Sequence, residues 1–549
     1  MAKKAIVLAA GLGTRLRPLT CVTPKPLMPV WGEPMLARIV AQLCERGVDD
    51  IVVNCHYLHE QVEQWVTDLA AQAGDALKIR ASYEPEILGT GGVLNPLREW
   101  IGQDDFYLVN GDIVVDGLDG LDGLEDLSGS EVIGRCLVTE EGPRTVEVEP
   151  EFGYVTNWKS DDAGWDGTYT YCGFAHLKAD ILAYVEPTGF SSIVAAYEKA
   201  MMDGKFMKIV KSEELLWTDA GTIESYIGLN RDKDDNAFAD LPQLKAALGT
   251  EPGKIEFLGA RGSERVFFRS DDKIVVIYDD ATRQENGRYA GHAKWLAEKG
   301  IPVPKVVADL PEMKTLVLEH AGSEHKMTLE EYVKVVETLA KFNGLDATAL
   351  ALEPEMDAKL WAWERDLFRE HCLGTRYRRE MPAAVENELE RVAAVLEKEP
   401  RALVHRDFQS TNVLWRNGKL AFIDFQGMRL GPAAYDLASL VYDPYAKFTE
   451  GERRALVALY AKTCGRPEIA EVLPFAAVER LVQCLGAYGR LASVGQPQFG
   501  KHVLPALENL LDAADKAGLD AVGALAEDLI AEETKHGHPH GCTCGHHHE

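Results

Sequence analysis

LAAGLGTRLRPLTCVTPKPLMPV, residues 8–30, decides how the front of this chain is read. A short apolar run, Ala5 to Ala10, ends in a glycine-bearing loop, Gly11-Leu12-Gly13-Thr14-Arg15. Glycine lets a backbone approach a phosphate and offers consecutive N–H donors to it. Arg15 adds a fixed positive charge with forked geometry. Lys25 stands between Pro24 and Pro26, whose rings stiffen the backbone and aim its ammonium. A bare Gly-x-Gly also occurs in many tight turns. The spacing is neither that of a dinucleotide fingerprint nor that of a Walker loop.

Working outward, the first ~230 residues alternate short apolar runs with amphipathic stretches. Strands are expected at Ala5–Ala9, Ile51–Asn54, Ile79–Tyr83 and Phe106–Val109, and helices at Pro34–Arg46, Leu58–Ala71 and Gly91–Trp100. This alternation predicts an α/β fold with a mostly parallel sheet covered on both faces. Ligands on such sheets bind at the carboxyl ends of the strands. The acidic run DGLDGLDG, Asp116–Gly123, does not have EF-hand spacing and reads as a solvated loop.

The whole string at 8–30 resembles the signature of sugar-1-phosphate nucleotidyltransferases. Further pieces follow in family order: Gly89-Thr90-Gly91-Gly92, Val109-Asn110-Gly111-Asp112 and Trp217-Thr218-Asp219-Ala220-Gly221-Thr222. The resemblance implies a Rossmann-like domain that transfers a nucleotidyl group to a sugar 1-phosphate. It implies nucleotide contacts from Ala9, Ala10, Gly11, Gly13, Thr14, Gly89, Thr90, Gly91 and Asn110. Arg15 and Lys25 would act on the phosphates, and Asp112 and Asp219 would hold Mg²⁺. Thr170-Tyr171-Cys172-Gly173 is similar to the family's sugar-lining strand, which points to Tyr171 and Gly173.

The rear has a different pattern. Antiparallel strands are expected at Arg265–Arg269 and Lys273–Tyr278, another strand at Leu316–Glu319, and helices at Leu329–Lys341, Asp357–His371 and Ala383–Lys398. Residues 403–412 read LVHRDFQSTN and residues 421–426 read AFIDFQ. Asp407 and Asn412 have kinase catalytic-loop spacing, in which the Asp takes the proton of a substrate hydroxyl and the Asn binds metal. Asp424 follows an apolar run that delivers it at a strand end. Farther on, Asp436 stands in a D-L-A pattern and is expected to tie the catalytic loop and cap its helix.

Together these pieces resemble the aminoglycoside phosphotransferase–choline kinase superfamily, which implies a two-lobed, protein-kinase-like α+β domain using ATP and Mg²⁺. Asp407 would be its base, and Asn412 and Asp424 its metal ligands. The family's N-lobe lysine is missing: the strand reads Lys273-Ile274-Val275-Val276-Ile277-Tyr278. Arg265, Arg269 or Lys273 would substitute, with Glu285 as partner. Anomeric kinases for N-acetylmuramate and N-acetylglucosamine share this departure, the Ile423-Asp424-Phe425-Gln426 string, an aromatic helix like Trp361–Phe368 and a late segment like Gln483–Gly500. The front domain is similar to N-acetylmuramate-1-phosphate uridylyltransferases, which points to UTP. One half would then make the sugar 1-phosphate that the other consumes, a salvage route for cell-wall amino sugar. Two alternatives stay open: a choline kinase fused to a phosphocholine cytidylyltransferase, and a degenerate kinase half serving as sensor or scaffold.

The bulk properties bound this reading. The chain has 549 residues, 46% hydrophobic and 26% charged, with 58 Lys+Arg against 87 Asp+Glu and a formal charge of −29. That balance argues against nucleic acid and against an anionic membrane surface. The ten cysteines are mostly scattered and build no disulfide framework, which fits a reducing, cytoplasmic setting. The expected organisation is a nucleotidyltransferase domain at 1–232, a linker at 233–253, a kinase domain at 254–530 and a His/Cys-rich tail at 531–549. The tail residues His536, His538, His540, Cys542, Cys544 and His546–His548 fit no structural zinc spacing.

Overall fold

The apolar runs of the front form strands whose neighbouring residues point to opposite faces of one sheet. The computed structural model describes residues 3–116, 122–160, 167–211, 215–231, 238–249, 252–261 and 264–535. The tail ligands and the centre of the acidic loop lie outside these. The chain divides into two compact units, Met1–Arg283 with Ala308–Val317, and Gln284–Val307 with Leu318–Glu549.

In the first unit, strand Lys3–Leu8 pairs in parallel with Val48–Cys55 on one side and Phe106–Asn110 on the other. Strand Val48–Cys55 in turn pairs in parallel with Lys78–Tyr83. The strand order therefore reverses beside Lys3–Leu8, and such a reversal opens a crevice at the carboxyl ends. Thr168–Leu177 enters antiparallel to Phe106–Asn110, so the nine-stranded sheet is mixed rather than mostly parallel. The cause is local: short strands Val146–Val148 and Val155–Asn157, not a crossover helix, precede it.

Alternation divides the core. Val7, Val53 and Val109 pack with Leu36 and Ile39 on one face. Ile6, Val52 and Leu108 pack with Val93, Ala196 and Tyr197 on the other. Helix Met35–Glu45 buries Met35, Leu36, Ile39, Val40 and Leu43, a single stripe. The helix expected at Gly91–Trp100 is instead two short turns, Gly89–Gly92 and Arg98–Ile101. Pro96 removes a backbone donor and biases Asn95 away from helix.

A third core cluster joins Leu16, Leu19, Met28 and Val30 to Tyr226 and Ile227, and then to Ile255, Val266, Phe268, Val275 and Ile277. The stretch expected as linker contributes helix Pro242–Leu248, with Leu241 and Leu244 fully buried in this cluster. Strands Ile255–Arg261, Arg265–Ser270 and Lys273–Tyr278 form the antiparallel start of a five-stranded sheet.

The second unit is chiefly helical. Capping boxes start Leu329–Asn343 (Thr328 with Glu331) and Glu450–Cys464 (Thr449 with Glu452). Asp357 caps Ala358–Leu367, which continues as a π-helical stretch, Phe368–Arg376. Two small antiparallel strand pairs, Arg401–Val404 with Arg429–Pro432 and, nested between them in sequence, the hairpin Val413–Arg416 with Lys419–Phe422, hold the chemistry-bearing loops. Among the described residues no helix is long and apolar enough to cross a membrane.

Candidate active sites

Strand Lys3–Leu8 delivers the glycine loop to the crevice. The Ala9 N–H donates to Asn54 Oδ1 (2.6 Å), and Asn54 Nδ2 donates to Glu84 Oε1 (2.8 Å). Glu84 Oε2 accepts from the Leu88 N–H at 2.9 Å. Asn54 and Glu84 are buried, so this relay ties the first glycine loop to the second in low dielectric. The second loop packs on the segment 189–193. Thr90 Oγ1 accepts from the Ile193 N–H (2.9 Å), and Gly91 N donates to Ser191 O (2.8 Å). Gly89 has φ +78°, and a Cβ there would lie 2.6 Å from the Ser191 oxygen.

The charged centre lies at the carboxyl ends of the strands. Lys25 opens a 3-10 turn after Pro24, and its side chain is buried. Its Nζ donates to Asp112 Oδ2 at 2.7 Å and to Asp219 Oδ1 at 3.4 Å. Arg15 Nη2 is 3.5 Å from Asp219 Oδ2. Asp112 follows strand Phe106–Asn110. Strand Leu216–Asp219 runs antiparallel to Ile113–Asp116 with Asp219 opposite Ile113, which brings the second carboxylate beside the first. Both carboxylates are about two-fifths exposed and face a cavity of about 680 Å³. A pair of oxygen ligands beside open space fits Mg²⁺, which takes one or two protein carboxylates and completes its shell with phosphate and water.

Asn110, Tyr171, Trp158, Trp217 and Thr145 line the same cavity. Tyr171 meets Trp158 edge-on at 5.8 Å, and Trp217 Nε1 donates to Cys172 O at 3.0 Å. Gly173 is not among the lining residues. It has φ +76°, and a Cβ there would be 2.5 Å from Asn110 Nδ2. Its structural part is to leave room for Asn110.

In the second unit Asp407 follows strand Arg401–Val404, and its Oδ1 accepts from Arg480 Nη1 at 2.8 Å. Arg480 is buried within the long helix Ile469–Ser493 and also donates to Gln483 Oε1 (2.7 Å). Asn412 Nδ2 donates to the Asp407 carbonyl (2.8 Å), which aims the amide oxygen elsewhere. Asp424 sits at φ +65° just past strand Lys419–Phe422, and Gln426 Nε2 donates to its Oδ1 at 2.9 Å. The amide oxygen of Asn412 and the carboxylate of Asp424 make a hard-oxygen donor set suited to Mg²⁺.

Several buried groups hold this loop. Asp436 accepts from the His405 and Arg406 N–H groups and from Asn343 Nδ2, at 2.7, 2.9 and 3.0 Å. It ties the loop as expected, but its side chain makes no cap bond to helix Ala434–Val441. Asp443 accepts from the Ser410 N–H at 2.7 Å. Arg406 Nη2 is 3.3 Å from Glu364, which is fully buried. Desolvation raises the Asp407 carboxyl, but the Arg480 and Arg406 charges outweigh it and hold it below its ordinary value. Burial pushes Glu364 and Glu479 up, although Arg406 faces the first.

Comparison with known proteins matches the front and the rear of the chain to different families. Residues 4–161 match the family model "Nucleotidyl transferase", and residues 254–475 match "Phosphotransferase enzyme family". The chain joins a nucleotidyl transferase domain to a phosphotransferase domain. The N-acetylmuramate alpha-1-phosphate uridylyltransferase of Neisseria meningitidis is 38% identical over 116 residues, 21% of this chain and 48% of that protein. The mannose-1-phosphate guanylyltransferase catalytic subunit beta of Xenopus tropicalis is 36% identical over 115 residues, 21% of this chain and 31% of that protein. The solved UDP-glucose pyrophosphorylase of Acinetobacter baumanii aligns at 20% identity and TM-score 0.35, covering 42% of this chain and 92% of that one. The match spans about half or less of the length of these two curated relatives.

In the nucleotidyl transferase domain, Arg15, Lys25, Asn110, Asp112 and Asp219 come together, and Ala9 to Thr14 run beside them. The relay through Asn54 and Glu84 was missed, although Asn54 stands out at the end of an apolar run and Glu84 directly follows a strand. In the phosphotransferase domain, Asp407, Asn412 and Asp424 all lie on the two loops that connect one strand pair to the other. Arg480, Glu364 and Asp443 were missed, because no local motif marks them. Of the cations near the absent lysine, Lys273 is exposed, Arg269 pairs with Glu256, and Arg265 is buried with its guanidinium 5.7 Å from the Phe267 ring.

Proposed function

We propose that the protein is a bifunctional sugar salvage enzyme. Residues 254–530 phosphorylate the anomeric hydroxyl of an amino sugar, N-acetylmuramate or N-acetylglucosamine, with ATP. Residues 1–232 then couple the sugar 1-phosphate to a nucleoside triphosphate, UTP, releasing pyrophosphate. The observation that carries the reading is the Lys25 ammonium shared by Asp112 and Asp219 at the edge of an aromatic, sugar-sized cavity. The uridylyltransferase likeness of the front supports the choice of sugar and base.

Asp407 accepts the proton of the anomeric hydroxyl as that oxygen attacks the γ-phosphorus and ADP leaves. Arg480 fixes one oxygen of Asp407 and leaves the other to meet the hydroxyl. At the other site an oxygen of the sugar 1-phosphate attacks the α-phosphorus of UTP. That oxygen is already ionised, so Lys25 and Arg15 serve mainly to neutralise charge as it builds. Mg²⁺, when bound by Asp112 and Asp219 or by Asn412 and Asp424, supplies further neutralisation of phosphate charge. Trp158, Trp217 and Tyr171 offer flat apolar faces to a sugar ring, and Thr145 and Thr170 offer hydroxyls. Incubation with N-acetylmuramate, ATP, UTP and Mg²⁺ should yield a UDP-sugar by mass. Product from another sugar in a panel, with none from N-acetylmuramate or N-acetylglucosamine, would reject the named substrates.

A further inference from the structure

The phosphate-facing loop of the nucleotidyl transferase domain does not stand on that domain's own residues alone. Its continuation, Leu16 to Cys21, is held by groups that follow it by more than two hundred positions. Gln243, fully buried on helix Pro242–Leu248, donates through Nε2 to the Leu19 carbonyl at 2.8 Å. Arg17 Nη1 lies 3.4 Å from Asp279 Oδ2. Asp279 is only 2% exposed and stands at the end of strand Lys273–Tyr278, inside the segment that matches the phosphotransferase family. Its other oxygen accepts from the Ala281 N–H at 2.8 Å. The apolar side of the contact is the cluster that joins Leu16 and Leu19 to Val266, Phe268, Val275 and Ile277.

A buried carboxylate is expensive unless it is paired, so the Arg17–Asp279 contact is strongly specified. Arg17 lies two residues after Arg15, and Thr20 Oγ1 donates back to the Gly13 carbonyl at 2.8 Å. Anything that fixes Arg17 and Leu19 therefore fixes the turn that carries Arg15. The reach of the Asp279 charge is visible at Cys21, whose thiol is pushed up to about 12 by burial first and by Asp279 next.

We infer that Asp279, borne by the phosphotransferase segment, is a positioning residue for the nucleotidyl transferase loop, and that Arg17 is the arm through which it acts. This rests on the proposed nucleotidyl transfer. The brace sets where the Gly11–Arg15 loop lies before a triphosphate arrives, so its loss falls on triphosphate binding rather than on the sugar 1-phosphate.

The test uses the full chain with Asp279→Asn. The asparagine oxygen can still accept from the Ala281 N–H, while its amide presents a donor to the Arg17 guanidinium. The KM for the nucleoside triphosphate should rise about tenfold, as small misplacements of a binding loop do. The KM for the sugar 1-phosphate and the ATP-dependent phosphorylation rate should stay at parental values. Arg17→Gln, which leaves the rear strands untouched, should reproduce the same shift. Should Asp279→Asn fail to fold, Arg17→Gln decides alone. Parental kinetics in both variants would overturn the inference. So would a parallel fall of nucleotidyl transfer and phosphotransfer, which marks a merely structural contact. A parent chain that releases no pyrophosphate with any sugar 1-phosphate would instead overturn the proposed function, and the brace with it.

Discussion

The two centres expose their carboxylates alike, Asp112, Asp219 and Asp407 each about two-fifths open, but hold them from different parts of the chain. In the nucleotidyl transferase domain Asp112 and Asp219 are about two-fifths open to the cavity, and the buried Lys25 bridges both while Arg15 stands beside Asp219. In the phosphotransferase domain Asp407 is backed by the buried Arg480, and the loop that carries it hangs from the buried carboxylates Asp436 and Asp443. The first centre is assembled from strand ends and short turns. The second depends on a helix more than seventy residues downstream. An exposed acid pair is arranged for ligands that bring their own charge. A carboxylate clamped by a guanidinium is arranged to stay ionised and correctly oriented.

The contrast can be broken experimentally, most severely at Asp407. Asp407→Ala should lower phosphotransfer about a thousandfold, the range of a lost general base. Pyrophosphate release from supplied sugar 1-phosphate should be unchanged. Residual phosphotransfer near the parental rate would remove Asp407 as the base, whereas a parent chain without ATP turnover would favour a scaffold role for this half. Lys25→Met should lower nucleotidyl transfer about a hundredfold, comparable to losing one preorganised donor to developing charge. Single-turnover measurement with sugar 1-phosphate and UTP reads this directly.

A sharper comparison comes from Arg480→Gln. Removing a positive charge beside a carboxylate disfavours its ionised form, so the Asp407 pKa should rise. The acid limb of the kcat/KM profile for phosphorylation should therefore move to higher pH, with about a tenfold loss at neutral pH. An unmoved acid limb would mean that Arg480 does not set the charge state of Asp407. The smallest effect is expected at Gly173→Ala. The added methyl displaces Asn110 and forces a positive φ on alanine, which costs about 1–2 kcal/mol by denaturant titration. Nucleotidyl transfer should fall only a few-fold.

Legibility in the sequence followed the same divide. The front strands, the helix Met35–Glu45 and the cluster of Lys25, Asp112 and Asp219 could be anticipated, because their signals are contiguous or lie at strand ends. Asp407, Asn412 and Asp424 were equally visible, since all three sit within eighteen residues of one another. The antiparallel entry of Thr168–Leu177 was hidden, because a strand does not record the direction of its neighbour. Arg480, Glu364 and the Arg17–Asp279 pair were hidden too. None belongs to a local motif that names its partner, and only three-dimensional packing reveals it. The helix Pro242–Leu248 was missed because it is only seven residues long and its fully buried side is just Leu241, Gln243 and Leu244.

Lys25 also bears on how the protein exists between turnovers. Two acids that would repel each other across the crevice already share a permanent counter-ion of the chain's own making. With Arg15 beside Asp219 as well, the chain itself supplies two positive charges to the two acids. A chelator should silence nucleotidyl transfer while leaving the melting curve of the protein where it was.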